Sequence, residues 1–159
     1  MLIGLIADTH GFFDPRVPPA FHGVDLILHA GDIGSTEVLT ALGKISSVKA
    51  VAGNNDLHLA GLGLPVHVDL AVAGSRIHLV HRLRDAAPLE GTAVVVYGHS
   101  HKAVVAESDG RLYVNPGAAG RVGFHQEITV ALLYLDQEVS RAEIVCLGPR
   151  KPAGAGTPD

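Results

Sequence analysis

The first apolar run of the chain, Leu2-Ile3-Gly4-Leu5-Ile6-Ala7, contains no polar residue and stops abruptly on Asp8-Thr9-His10-Gly11. A run that is apolar at every position suits a strand buried on both faces, and such strands belong to α/β sheets. The pattern recurs. Asp25-Leu26-Ile27-Leu28-His29 ends at Gly31-Asp32, Val48 to Ala52 ends at Gly53-Asn54-Asn55-Asp56, and Val94-Val95-Val96-Tyr97 ends at Gly98-His99-Ser100-His101. Pro15, Pro18 and Pro19 leave room for only a short helix after the first strand. Ser35 is placed to N-cap a helix from Thr36 to Leu42, with Glu37 favourable in its first turn and Gly43 as a stop. This βαβαβ opening predicts a parallel sheet.

The second half reads as hairpins. Val66–Ala73 and Arg76–Val80 flank Gly74-Ser75, Ala103–Ala106 and Leu112–Val114 flank Asp109-Gly110, and Ile128–Leu135 and Val139–Leu147 flank Asp136-Gln137. A short helix over Asp85–Glu90 is weakened by Pro88. The expected fold is α/β: two facing mixed sheets, parallel in the N-terminal half, flanked by helices as an αββα sandwich. One domain is expected over 1–147. Residues 148–159, rich in Pro and Gly, read as a flexible tail.

Composition narrows the function classes. The chain has 159 residues, is 47% hydrophobic and 18% charged, and carries a net charge of −4. It has no basic cluster, so nucleic acid is a poor candidate for a partner bound over a large surface. No stretch approaches the roughly 18 consecutive apolar residues of a membrane span. The N-terminus lacks the basic start of a signal peptide. One cysteine, Cys146, permits neither an internal disulfide nor a thiolate zinc cage; it fits a cytoplasmic setting, and its apolar strand predicts a buried packing residue. A homo-oligomer stays open. Ten His stand against four Phe, three Tyr and no Trp, so imidazole is over-supplied where rings are scarce.

The four strand ends carry Asp8/His10, Asp32, Asn54/Asp56 and His99/His101. In open α/β sheets, sites form beyond the carboxyl ends of the strands. Each cluster adjoins a glycine, which permits tight turns and close backbone approach. Singly, each has a plain reading as a strand terminus or turn; four together in one pocket do not. Carboxylate, imidazole and amide oxygen without thiolate suit Mn, Fe, Zn or Ni.

The order Asp8-Thr9-His10, Gly31-Asp32, Gly53-Asn54, His81 and Gly98-His99-Ser100-His101 resembles the calcineurin-like metallophosphoesterase superfamily. The short length and the Asn115-Pro116-Gly117 that follows look like its small single-domain bacterial and archaeal phosphodiesterase branch. The resemblance spans Leu2 to about Leu147. It implies two divalent ions, with manganese the first expectation: Asp8, His10 and His101 on one, Asn54, His81 and His99 on the other, and Asp32 between them. Such a pair generates hydroxide near neutral pH and neutralises phosphate charge, so an acidic chain can take an anionic substrate. The implied activity is hydrolysis of a small phosphodiester. The alternatives are a phosphomonoesterase or nucleotide hydrolase using the same site, or a non-catalytic protein-binding scaffold like the eukaryotic retromer subunit that shares this fold.

Two positions depart from the family pattern. Many phosphatases of the superfamily place His after the metal-binding Asn as a general acid; here Asn55 stands there and cannot donate a proton at neutral pH. The middle His is usually followed by Gly; here Arg82 follows His81 and is a candidate phosphate contact. Asp32, Asn55, Asp56 and Arg82 are therefore the candidates for roles in catalysis, Asp56 by orienting a neighbour. His29 is expected to support the ligands from behind. His22, His58, His67, His78 and His125 are expected to be solvated or half-buried. No Gly-x-Ser-x-Gly and no phosphate-cradling P-loop is present.

Overall fold

A computed structural model describes residues 1–136 and 140–150. In chain order the elements are β1 (Leu2–Ile6), α1 (Val17–Ala20), β2 (Leu26–His29), α2 (Thr36–Gly43), β3 (Val48–Ala50), β4 (His67–Val72), β5 (Ser75–Val80), β6 (Thr92–Val96), β7 (Ala103–Ser108), β8 (Arg111–Pro116), β9 (Glu127–Leu135) and β10 (Ser140–Pro149), with 3-10 turns at Leu57–Leu62 and Leu83–Asp85. They build two five-stranded sheets, ordered β10-β9-β1-β2-β3 and β4-β5-β6-β8-β7. β1, β2 and β3 run parallel, as do β5, β6 and β8; β9, β10, β4 and β7 pair antiparallel with their neighbours.

The sheets face each other. Ile3, Leu5, Leu26 and Leu28 of the first interdigitate with Ile77, Leu79, Val94 and Val96 of the second in one buried cluster. The other face of the first sheet, with Ile6 and Ile27, packs under Val17 and Phe21 of the α1 segment and Val38 and Leu42 of α2. Residues buried on both faces explain why β1, β2 and β6 read as unbroken apolar runs. The sandwich is asymmetric. Helices cover the first sheet, whereas the second carries the Leu83–Asp85 turn in place of the short helix expected over Asp85–Glu90, since Pro88 denies that segment its helical hydrogen bonds.

Two hairpin turns are tighter than the composition suggested. Val72 pairs with Ser75, so the loop is Ala73-Gly74, with φ of 48° and 77°; Asp109-Gly110 has 51° and 72°. Positive φ at both loop positions matches the right-handed strand twist. Of the third turn, Gln137 and Val139 lie outside the described residues. β10 runs through Gly148 and Pro149, and the Arg150 N–H bonds the Gln126 carbonyl at 2.9 Å. These residues therefore belong to the sheet and not to a tail; 151–159 lie outside the described residues. Cys146 is exposed, contrary to expectation, because β10 is the edge of its sheet. Among the described residues no helix is long and apolar enough to cross a membrane.

Candidate metal centre

The carboxyl ends of β1, β2, β3, β5 and β6 deliver Asp8/His10, Asp32, Asn54, His81 and His99/His101 to one end of the sandwich. Two triads result, Asp8–His10–His101 and Asp32–His81–His99, and within each the donor atoms lie within 4.8 Å of one another. Asp32 stands where they meet. Its Oδ2 is 3.8 Å from His10 Nε2 and its Oδ1 is 3.5 Å from His81 Nε2. Asn54 Oδ1 completes the second group, 3.0 Å from His81 Nε2.

These positions are held at a conformational cost. Asp8, His10, Asp32, His99 and His101 have φ of 53°, 46°, 53°, 69° and 59°; among the described residues the other non-glycine positions with positive φ are the turn residues Ala73 and Asp109. Left-handed backbone at a non-glycine residue costs about 1–3 kcal/mol and persists where its surroundings enforce it. Here the enforcement is a mesh of hydrogen bonds between loops. Asp8 N–H bonds the Gly31 carbonyl at 3.0 Å, His10 N–H the Asp32 carbonyl at 2.9 Å, and Gly120 N–H the Asp8 carbonyl at 3.0 Å. A Cβ at Gly53 would overlap the backbone nitrogen and Oδ1 of Asp32, so only glycine lets the two loops approach.

The donor atoms converge on the centre, and hydrogen bonds around them set their orientation. His81 Nδ1 donates to the Ala30 carbonyl at 2.7 Å, which turns Nε2 toward the centre. Asp8 Oδ2 accepts the His99 backbone N–H at 2.9 Å, while Asp8 Oδ1 is buried with no hydrogen-bond donor. That orphaned oxygen lies 3.4 Å from His101 Nε2, itself 3.4 Å from His10 Nε2. Buried anionic oxygen and convergent imidazole nitrogens without enough protons to share form a cavity for a cation. The donor set therefore fits divalent metal. Burial pushes the Asp32 carboxyl up, but hydrogen bonds from His81 and from the Asn55 backbone and amide outweigh it, holding Asp32 well below the usual carboxylate range. Burial pulls His81 down, but its bonds to Asp32 and the Ala30 carbonyl raise it overall. His99 is lowered, by burial and then by the charges of His81 and Arg82.

The remaining candidates divide. Asn55 is in the site but grips Asp32, N–H to Oδ1 at 2.9 Å and Nδ2 to Oδ2 at 2.7 Å. Asp56 is not among the convergent donors. It is buried and accepts the backbone N–H groups of Ile33, Gly34 and Gly53 at 3.1, 3.0 and 2.8 Å, so it ties the Asp32 loop to the Asn54 loop and touches no reacting group. Arg82 lines a cleft of about 300 Å³ beside Asn54 and His81, and no acceptor among the described residues takes its guanidinium. His58 Nε2 is spent on the Gly34 carbonyl at 2.9 Å.

Some supporting residues were hard to foresee. Thr9 Oγ1 donates to the Ile33 carbonyl at 2.8 Å and accepts from fully buried His29 Nε2 at 2.9 Å, while His29 Nδ1 accepts the Gly31 N–H. His29 thus supports two ligand loops, as expected, and burial pushes it down to about 4. Asn115 bonds the Gly98 carbonyl and Ser100 Oγ, both at 3.0 Å, bracing the His99–His101 loop. His125 is half-buried with its ring 5.3 Å from that of His101. His78, expected to be solvated or half-buried, is buried, with Nδ1 3.0 Å from Asp69 Oδ1 and Nε2 accepting the Ala87 N–H at 3.4 Å.

Residues 1–138 match the calcineurin-like phosphoesterase superfamily domain. The chain is 33% identical over 163 residues to a probable metallophosphoesterase of Methanothermobacter thermautotrophicus, covering 93% of this chain and 94% of that one. It is 34% identical over 134 residues to a probable metallophosphoesterase of Methanocaldococcus jannaschii, covering 74% and 68%. Its fold is shared with a structurally characterised archaeal phosphodiesterase (TM-score 0.76, 23% identity, 91% and 100% covered) and with Entamoeba histolytica Vps29 complexed with zinc (TM-score 0.69, 19% identity, 93% and 100% covered). A metal-fitting centre at the strand ends of this sandwich, and a family match over most of the chain, place the protein in the calcineurin-like phosphoesterase superfamily.

Proposed function

We propose that the chain hydrolyses phosphodiesters at a two-metal centre, with Asp8, His10 and His101 on one ion, Asn54, His81 and His99 on the other, and Asp32 bridging. The observation that carries this is the placement of Asp32: its two oxygens face the two triads separately, 3.8 Å from His10 and 3.5 Å from His81. Two divalent ions about 3.5–4 Å apart repel, and a shared carboxylate offsets that repulsion. Ions so held would supply positive charge against the phosphate oxygens and an acidified water as nucleophile. Manganese heads the list for this oxygen-and-imidazole donor set.

The chain's own groups do the rest. Asp32 stays ionised at neutral pH, with one hydrogen bond from Asn55 orienting each of its oxygens. His81 is locked by the Ala30 carbonyl so that only Nε2 points inward. The unpaired Arg82 guanidinium, in the cleft beside Asn54 and His81, pairs with non-bridging phosphate oxygens. No proton donor follows Asn54. Asn55 offers an amide already committed to Asp32, so the leaving oxygen departs without a general acid. That favours diesters with acidic leaving groups over alkyl monoesters. The Vps29 likeness raises a scaffold reading; a complete set of ligand-capable side chains at all seven positions supports the enzyme. With one cysteine in the chain, a cytoplasmic enzyme acting on small esters is the reading we adopt. The test is turnover of bis(p-nitrophenyl) phosphate by metal-stripped protein with and without added Mn²⁺. Hydrolysis that appears with the metal supports it; binding of metal without hydrolysis of any diester favours the scaffold.

A further inference from the structure

The phosphate chemistry leaves residues 121–126 unused. Phe124 in this loop is 99% exposed. The loop is nonetheless firmly anchored. The Arg150 guanidinium donates to the Arg121 carbonyl at 2.8 Å and to the Gly123 carbonyl, and His125 Nε2 donates to the Gly120 carbonyl at 2.9 Å. Gly123 has φ of 119°, and a Cβ there would run into His101 Nδ1. The backbone is therefore pressed against a proposed metal ligand, and this contact sets the next side chain at the rim of the centre. An anchored loop that holds a phenyl ring in water forgoes the stabilisation that burial would give.

The ring faces a groove of about 510 Å³, whose inner end is formed by His99 and His101 and whose wall includes Lys102. The groove shares no lining residue with the Arg82 cleft, which opens at Asn54 and His81. We propose that the groove is a subsite for a planar aromatic substituent of the phosphoester, an aryl or nucleobase ring that stacks on Phe124 while the phosphate sits at the triads. Its volume falls in the roughly 300–1,000 Å³ range of small-molecule sites. Ring-on-ring contact gains more than equal aliphatic area, and the imidazoles at the inner end extend the aromatic lining. The inference rests on the phosphoesterase reading above.

Binding separates the two claims. Methylphosphonate, phenylphosphonate and the 5′-phosphonate of adenosine are titrated calorimetrically into Mn²⁺-loaded wild type, Phe124→Ala and Phe124→Trp. Phenylphosphonate is expected to bind wild type about 3- to 10-fold more tightly than methylphosphonate. Phe124→Ala abolishes that preference, Phe124→Trp retains it, and metal content is the same in all three. A further gain for the adenosine compound identifies the ring as a nucleobase; no further gain identifies a simple aryl group. Equal affinity of wild type for methyl- and phenylphosphonate, or a preference that survives Phe124→Ala, overturns the subsite and leaves the phosphoesterase reading intact. Failure of every phosphonate to bind overturns both.

Discussion

Asn55 holds Asp32 by both oxygens, its backbone N–H on Oδ1 at 2.9 Å and its side-chain amide on Oδ2 at 2.7 Å. The position that supplies a proton in many phosphatases of this superfamily is thus given over to orienting the carboxylate between the two triads. Hydrolysis should then depend steeply on leaving-group acidity, with p-nitrophenyl diesters far ahead of alkyl monoesters. A Brønsted plot over a series of aryl diesters reads the slope. Asn55→His should flatten it; a flat plot for the unmodified protein means another group protonates the leaving oxygen.

Arg82 lines the cleft beside Asn54 and His81, and no acceptor among the described residues takes its guanidinium. Arg82→Gly should raise KM for a diester by roughly 5- to 150-fold while metal content stays constant. Steady-state kinetics at saturating Mn²⁺, paired with elemental analysis, decides the matter. A fall in metal content would assign Arg82 to the shape of the His81 loop.

His29 titrates at about 4 in the fold, below its ordinary 6.5, because burial disfavours its charged form. The unfolded chain therefore binds more protons between those values. Stability from this group is fully present above pH 6.5 and is lost as pH falls toward 4. Between pH 7 and pH 5 the metal-free protein should lose about 2 kcal/mol through His29. Urea denaturation at the two pH values, on wild type and His29→Gln, isolates that portion as the difference in slope.

Much of the centre was legible because metal chemistry restricts residue types. Asp8, His10, Asp32, Asn54, His99 and His101 each follow an apolar strand, and a doubly buried strand in a parallel sheet delivers its carboxyl end to the site. His81 ends the half-exposed hairpin β4–β5, so periodicity said little about it, and the family pattern carried it. The bracing network was not legible. Asp56 follows Asn54-Asn55 and looks like another convergent carboxylate; only the approach of three backbone N–H groups reveals its task. The burial of His78 was not legible because one of its partners, the Ala87 N–H, comes from a segment with no regular pattern. Phe124 sits in a Gly-rich stretch that reads as a turn, and nothing local discloses that Gly123 lies against His101.

Asp56 is expected to govern folding more than turnover. Asp56→Ala leaves three N–H groups short of an acceptor and should cost roughly 2–4 kcal/mol, with Asp56→Asn intermediate. Chemical denaturation of the metal-free proteins measures this. A loss below about 1 kcal/mol for Asp56→Ala would mean that water replaces the carboxylate without penalty.

Asp32 is proposed to bridge two ions held by the two triads. Elemental analysis of the Mn²⁺-loaded protein, after removal of excess metal, tests it directly. The predicted result is about two ions per chain in wild type and a loss at both positions in Asp32→Ala, because the bridge serves both. One ion or none in wild type, or two ions retained in Asp32→Ala, would mean that Asp32 does not bridge a two-metal centre.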